Sequence, residues 1–102
     1  MKKTKYAVRL LMAAEDDLKG IITYIGAENR SASEIIATKI EKSLTRLSFY
    51  PYLGRGPKEE ELRQLGYRIV VTEDYLMFYT IEDRTIFIHR IIHGARDYFS
   101  FL

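Results

Sequence analysis

Apolar residues change their spacing twice along this chain, and each change marks a new kind of element. Tyr6 to Leu11 (YAVRLL) is a short strand-favouring run interrupted by Arg9. Ala14, Leu18, Ile21, Ile22 and Ile25 then recur at helical spacing, while Glu15, Asp16 and Lys19 fall off that stripe. The early carboxylates suit the positive end of a helix dipole. Gly26-Ala27-Glu28-Asn29 breaks the pattern, and Ser31-Ala32-Ser33-Glu34 has the form of a capping box that opens a second helix. Ile36, Ile40, Leu44 and Leu47 make its stripe, and Pro51 stops it because proline cannot continue a helix and disfavours helical geometry at Tyr50. Two helices with so short a link predict an antiparallel helical hairpin.

Tyr52 to Leu65 reads as a loop punctuated by Gly54-Arg55-Gly56-Pro57, with one helical turn at Lys58-Glu59-Glu60-Glu61-Leu62. Beyond it the period falls to two. Tyr67, Ile69 and Val71 alternate with Arg68, Val70 and Thr72. In the next strand both sets, Tyr75, Met77 and Tyr79 against Leu76 and Phe78, are apolar, as expected of a central strand covered on both faces. The last strand places Ile86, Ile88, Arg90 and Ile92 on one face and Phe87, His89, Ile91 and His93 on the other. Links this short require antiparallel pairing. The expectation is an α+β domain in β-α-α-β-β-β order, a small antiparallel sheet packed on a helical hairpin, with a short C-terminal helix.

Composition narrows the function. The 102 residues make one domain, 1–102, with a small core. The absence of cysteine excludes disulfides, thiolate metal sites and a cysteine nucleophile, and fits a reducing cytosol. No signal peptide or membrane span is expected, so the protein is placed in the cytoplasm. A net charge of +2 with interspersed signs is too slight to imply nucleic-acid binding by itself.

The candidate chemistry gathers at the end of the chain. His93, Arg96, Asp97 and Tyr98 follow the last strand directly. His93 could serve as acid or base, Arg96 as a phosphate clamp and Tyr98 as a stacking or proton-donating group. The plainer reading is an Arg96–Asp97 ion pair and a half-buried His93. Arg90 stands among isoleucines and needs a partner, either a helix carboxylate such as Glu15 or Asp16 or an acidic segment of another protein. Arg68 is expected at the rim, open to nucleic acid or an acidic partner. His89 and His93 share a face roughly 13 Å apart, too far to hold one metal together. Gly54-Arg55-Gly56 lacks the Lys-Ser/Thr of a phosphate-binding loop. Phe99 and Phe101, in the apolar tail 99–102, either dock on the core or await a partner.

The element order, AEDDLKGIITYI from Ala14 to Ile25, PYLGR from Pro51 to Arg55, YLMFY from Tyr75 to Tyr79, and IHRIIHGARDY from Ile88 to Tyr98 together resemble the RelE/ParE family of type II toxin–antitoxin toxins. The resemblance covers nearly the whole chain. It implies a protein antitoxin as partner, no metal and no small-molecule cofactor. It also implies one of two targets. RelE-like members cut messenger RNA in the ribosomal A site, with an arginine on the second strand of the hairpin and Arg, His or Tyr near the C-terminus. ParE-like members poison DNA gyrase through contacts. Where the ribonucleases commonly read Tyr-Arg-Leu-Val-Tyr, this chain reads Tyr75-Leu76-Met77-Phe78-Tyr79, and Leu76 can neither bind nor polarise a phosphate. The resemblance therefore favours the ParE side, with Arg68, Arg90, Asp97, Phe99 and Phe101 as contact residues. A ribosome-dependent endoribonuclease using His93, Arg96 and Tyr98 with Arg68 is the alternative, and a member that retains only antitoxin binding is a third.

Overall fold

The structure is a computed structural model and describes residues 5–94. The expected C-terminal helix, together with Arg96, Asp97, Tyr98, Phe99 and Phe101, lies outside the described residues. Strand β1 (Ala7–Leu10) leads into helices α1 (Met12–Glu28) and α2 (Arg30–Phe49); after a loop come the short helix α3 (Glu60–Gln64) and strands β2 (Arg68–Thr72), β3 (Tyr75–Glu82) and β4 (Thr85–His93).

The two long helices meet at one residue. Asn29 closes α1 by donating its N–H to the Ile25 carbonyl and opens α2 by accepting the Ala32 N–H on its side chain at 3.0 Å. The cap is thus Asn29 and not Ser31, and α1 runs through Gly26 to Glu28. Asn29 wins because its extended backbone, at φ −151°, is the conformation an N-cap needs. Gly26 lies inside α1 where α2 comes close, and a Cβ there would lie 3.2 Å from the Ser33 hydroxyl. That hydroxyl, in a buried residue, donates to the Arg30 carbonyl.

The strands are ordered β1-β4-β3-β2. β2, β3 and β4 form the expected antiparallel meander, joined by tight turns in which Glu73, Asp83 and Arg84 all take positive φ. β1 adds to the far edge parallel to β4, pairing Val8 with Ile86 and Leu10 with Ile88, so the sheet is mixed. A hairpin link cannot produce parallel neighbours; here the helical hairpin supplies the long crossover that parallel pairing requires. The Tyr6 N–H donates to the Ser48 carbonyl and ties this edge to the end of α2.

The helices cover one face. Ala14 from α1, Ile40 and Leu47 from α2, and Met77, Tyr79, Ile86, Ile88 and Ile91 from the sheet form a single buried cluster. Leu18 and Ile21 of the α1 stripe read from the sequence pack onto it. At the opposite rim the Ser43 and Thr72 hydroxyls are bonded at 2.6 Å, joining α2 to β2. Phe78 is fully buried but lies outside that cluster, as alternation along β3 requires of a residue on the reverse face.

The expected faces of β4 need one correction. Phe78 pairs with Arg90 but Tyr79 pairs with Ile88, so His89 is an extra residue, a β-bulge. The alternation shifts there by one. Ile91, expected opposite Ile86 and Ile88, joins them in the core.

Candidate functional site

Three side-chain clusters surround the sheet, and each depends on residues far apart in sequence. The first sits where β1 ends and β4 continues with β3 alone beside it. Leu11 N–H still reaches the Ile88 carbonyl, but no strand follows to serve the next edge amide. Asp17 of α1 takes that place. Its Oδ2 accepts from the Ile91 N–H at 2.9 Å and from Arg90 Nε at 2.7 Å, while Oδ1 accepts from Arg90 Nη2 at 2.8 Å. This two-pronged arrangement is the strong form of a guanidinium–carboxylate pair, and the hydrogen bonds to Asp17 raise the Arg90 pKa against an opposing effect of burial. The partner of Arg90 is therefore Asp17, not the anticipated Glu15 or Asp16. The signal was present: Asp17 stands three residues after Ala14 and four before Ile21, inside the apolar stripe. At the end of β4, exposed His93 meets Tyr75 edge to face, with ring centroids 5.5 Å apart.

The second cluster locks the loop after α2. The buried Tyr79 hydroxyl accepts from the Gly54 N–H and donates to the Pro51 carbonyl, both at 2.8 Å. Burial raises the Tyr79 pKa, partly offset by the Gly54 amide and by Arg68. Arg68 donates through Nη2 to the carbonyls of Tyr52 and Gly54, and its guanidinium carbon lies 5.3 Å from the Tyr52 ring centre. Its Nε is buried with no hydrogen-bond partner among the described residues. Arg68 is thus a half-buried clamp as well as a rim residue.

The third cluster lies on the reverse face, where a groove is lined by Leu65, Tyr67, Thr80, Glu82, Phe87 and His89, among others. His89 Nε2 and the Thr80 hydroxyl are 2.8 Å apart, Nδ1 lies 3.4 Å from the Tyr67 hydroxyl, and the Tyr67 and His89 rings meet edge to face at 4.9 Å. Burial lowers the His89 pKa, with Glu82 opposing weakly. The unfolded chain therefore takes up a proton near pH 6.5 where the folded one does not. The stability that neutral His89 supports is complete above that pH and is lost as the pH falls through the lower folded-state value. Denaturant midpoints measured from pH 7.5 to 5.5 are expected to fall more steeply for the native protein than for His89→Gln.

The predicted site residues do not all converge. Arg68 is opposite Tyr79 and His93 is opposite Tyr75, four residues apart along β3 and on different flanking strands. That separates their backbones by more than roughly 13 Å, and Arg68 turns away toward the loop. Among the described residues no group of three His, Asp or Glu side chains could hold a metal ion, and no helix is long and apolar enough to cross a membrane.

Comparison with known proteins assigns this mixed four-stranded sheet, with its helical hairpin on one face, to the small toxins of toxin–antitoxin modules. The model of the ParE toxin of the type II toxin–antitoxin system parDE matches residues 8–98, and the chain belongs to that family, within the RelE/ParE superfamily. Comparison with curated protein sequences gives no significant match. Among solved structures, a chain of the chromosomal ParDE toxin–antitoxin system from P. aeruginosa is similar with a TM-score of 0.72 and 17% identity, over 88% of this chain and 97% of that one. A chain of the RelBE2 toxin–antitoxin complex from Mycobacterium tuberculosis has a TM-score of 0.67 and 26% identity, over 93% of this chain and 98% of that one. The solution structure of HP0894 from Helicobacter pylori has a TM-score of 0.56 and 15% identity, over 89% and 97%. The protein is a type II toxin of this superfamily.

Proposed function

We propose that this toxin acts in the cytoplasm by binding DNA gyrase, as ParE-like toxins do, and that a cognate protein antitoxin neutralises it. The observation that carries the reading is the chemistry of the reverse sheet face. Leu76 stands where the ribonucleases commonly carry an arginine, and it lies on the aliphatic floor of a groove with Ile69 and Val71. The cations of that groove, Arg55, Lys58 and Arg63, come from the loop and α3 and not from the strand. In the neighbouring groove, Glu82 is the one carboxylate or cation among the described lining residues. A phosphodiester undergoing cleavage needs positive charge or aimed donors on its equatorial oxygens, which neither Leu76 nor the Glu82 carboxylate supplies. The family match on the ParE side supports the same reading.

The second reading is a ribosome-dependent endoribonuclease built on His93, Arg96 and Tyr98 with Arg68, and the likeness to a chain of the RelBE2 toxin–antitoxin complex is the reason to test it. Purified protein added in parallel to a gyrase supercoiling reaction and to a coupled translation reaction separates the two. Stabilised double-strand breaks with intact messenger RNA are expected. Codon-dependent cleavage of the messenger that is lost in His93→Ala or Arg96→Ala would replace the first reading by the second.

A further inference from the structure

A row of cations seated on aromatic rings crosses one end of the sheet, and only its last pair belongs to a cluster above. β1, β2 and β4 begin at this end and β3 finishes there: Ala7 and Glu82 both pair with Thr85, and Arg68 pairs with Tyr79. Helix α2 also ends here, where its Ser48 carbonyl takes the Tyr6 N–H. Arg84, whose carbonyl takes the Ala7 N–H, holds its guanidinium carbon 5.4 Å from the Tyr6 ring centre. Lys5 Nζ lies 5.8 Å from the Phe49 ring centre, and Arg68 lies over Tyr52 as described. From Tyr6 before β1 to Arg68 at the start of β2 the row crosses four strands, roughly 14 Å at the usual strand spacing.

The charge of this row is uncompensated. Among the described residues the ion pairs are Arg30–Glu34, Lys39–Glu73 and Arg90–Asp17, so none of Lys5, Arg68 and Arg84 has a carboxylate within salt-bridge distance. Of the two carboxylates beside Arg84 in sequence, Glu82 lines the groove on the reverse face, and Asp83 is exposed. Ring faces attract cations and hold them in place without neutralising them. The rings are themselves accessible: Phe49 is 39% and Tyr52 64% exposed, so each keeps surface for a further planar group.

We infer that this end of the sheet binds single-stranded DNA, its phosphates on Lys5, Arg68 and Arg84 and its bases on Phe49 and Tyr52. Single strands are held by cations that follow the backbone and by rings on which bases stack, and here the two alternate. The row has room for about four stacked nucleotides at roughly 3.4 Å each. A duplex would hide its bases from the rings, and an acidic peptide would leave the rings unused. A lipid surface would want them gathered on one apolar face. The inference rests on the gyrase reading only in naming DNA rather than RNA, since a toxin that stabilises broken DNA gains from a grip on the opened strands.

Fluorescence anisotropy with labelled probes tests it. The probes are a twelve-nucleotide oligo-thymidine, an abasic deoxyribose-phosphate strand of equal length, a twelve-nucleotide oligo-uridine and an oligo-glutamate peptide. Vesicles of equal parts phosphatidylglycerol and phosphatidylcholine serve as competitor. Oligo-thymidine is expected to bind best, and three phosphate contacts predict a roughly 20-fold loss of affinity between about 50 and 200 mM salt. Lys5→Gln/Arg84→Gln, at exposed positions, should weaken it at least tenfold and cut that salt slope by more than half. Tyr52→Ala should weaken it at least about fivefold through lost stacking. Lys19→Gln/Arg30→Gln, an equal change of charge at exposed helix positions, should shift it less than twofold. Circular dichroism melts would establish that each variant folds. No binding of oligo-thymidine, equal affinity of the abasic strand or of the double variant, tighter binding of oligo-uridine or the peptide, or displacement by the vesicles would each overturn the inference. The supercoiling reaction scores the gyrase reading separately: inhibition of gyrase without oligo-thymidine binding would sink the inference and leave that reading standing.

Discussion

Gly54→Ala is expected to destabilise the fold by about 3 kcal/mol, near the upper end for forcing atoms into a packed interior. For a chain of this size that is a fall in Tm on the order of 15 °C. A Cβ on residue 54 would lie 2.6 Å from the Ile69 carbonyl oxygen and 2.7 Å from the Tyr79 hydroxyl. Neither can yield cheaply. The first is backbone held in the Arg55–Ile69 bridge, and the second belongs to a fully buried ring whose hydroxyl is fixed at both ends. Gly20→Ala provides the contrast, because nothing lies within 4 Å of its would-be Cβ in the middle of α1. That change is expected to stabilise by up to about 1 kcal/mol through helix propensity alone. Thermal melts of the two variants should move in opposite directions. Equal shifts would show that the loop after α2 is not locked as described.

The second large effect is expected at Asp17. Asp17→Ala removes the acceptor shared by two Arg90 donors and the Ile91 amide. Breaking a buried pair costs about 3–5 kcal/mol. Here the side chains keep 22% and 17% exposure, so water recovers part of the loss and a cost of about 2–3 kcal/mol is expected. Asp17→Asn keeps one accepting oxygen and should cost less. Hydrogen exchange gives the local readout: the Ile91 amide is expected to exchange faster relative to its strand neighbours in Asp17→Ala. Unchanged protection of that amide would mean that Asp17 does not close the edge of β4.

Much of the architecture was readable from spacing. The two long helices, the stop at Pro51 and the three-strand meander stand where the pattern of apolar residues put them, while the short helical turn expected at Lys58–Leu62 falls two residues later, at Glu60–Gln64. Local features near the helix junction were harder. Serine, threonine and asparagine can all cap a helix, and only the extended backbone at residue 29 selects Asn29 over Ser31. The site was less legible than the fold. The sequence drew attention to His93, Arg68 and Arg90, but not to Asp17, the Tyr79 hydroxyl or the Thr80–His89 pair. Tyr79 looked like one of eight tyrosines, and nothing in YLMFY says that its hydroxyl will meet residues 25 and 28 positions away.

What the sequence determined by itself was the order of elements, the core-facing stripe of α2 and the alternation of β2 and β3, and the resemblance carried along the chain. Those are properties of periods 3.6 and 2, which are written within a dozen residues of each other. The tertiary structure alone decided the parallel addition of β1, the bulge at His89 and the pairing of Arg90 with a carboxylate 73 residues away. Each arises because an edge amide or a half-buried charge must find a partner once the core has closed. Which group reaches it depends on how the elements meet in space.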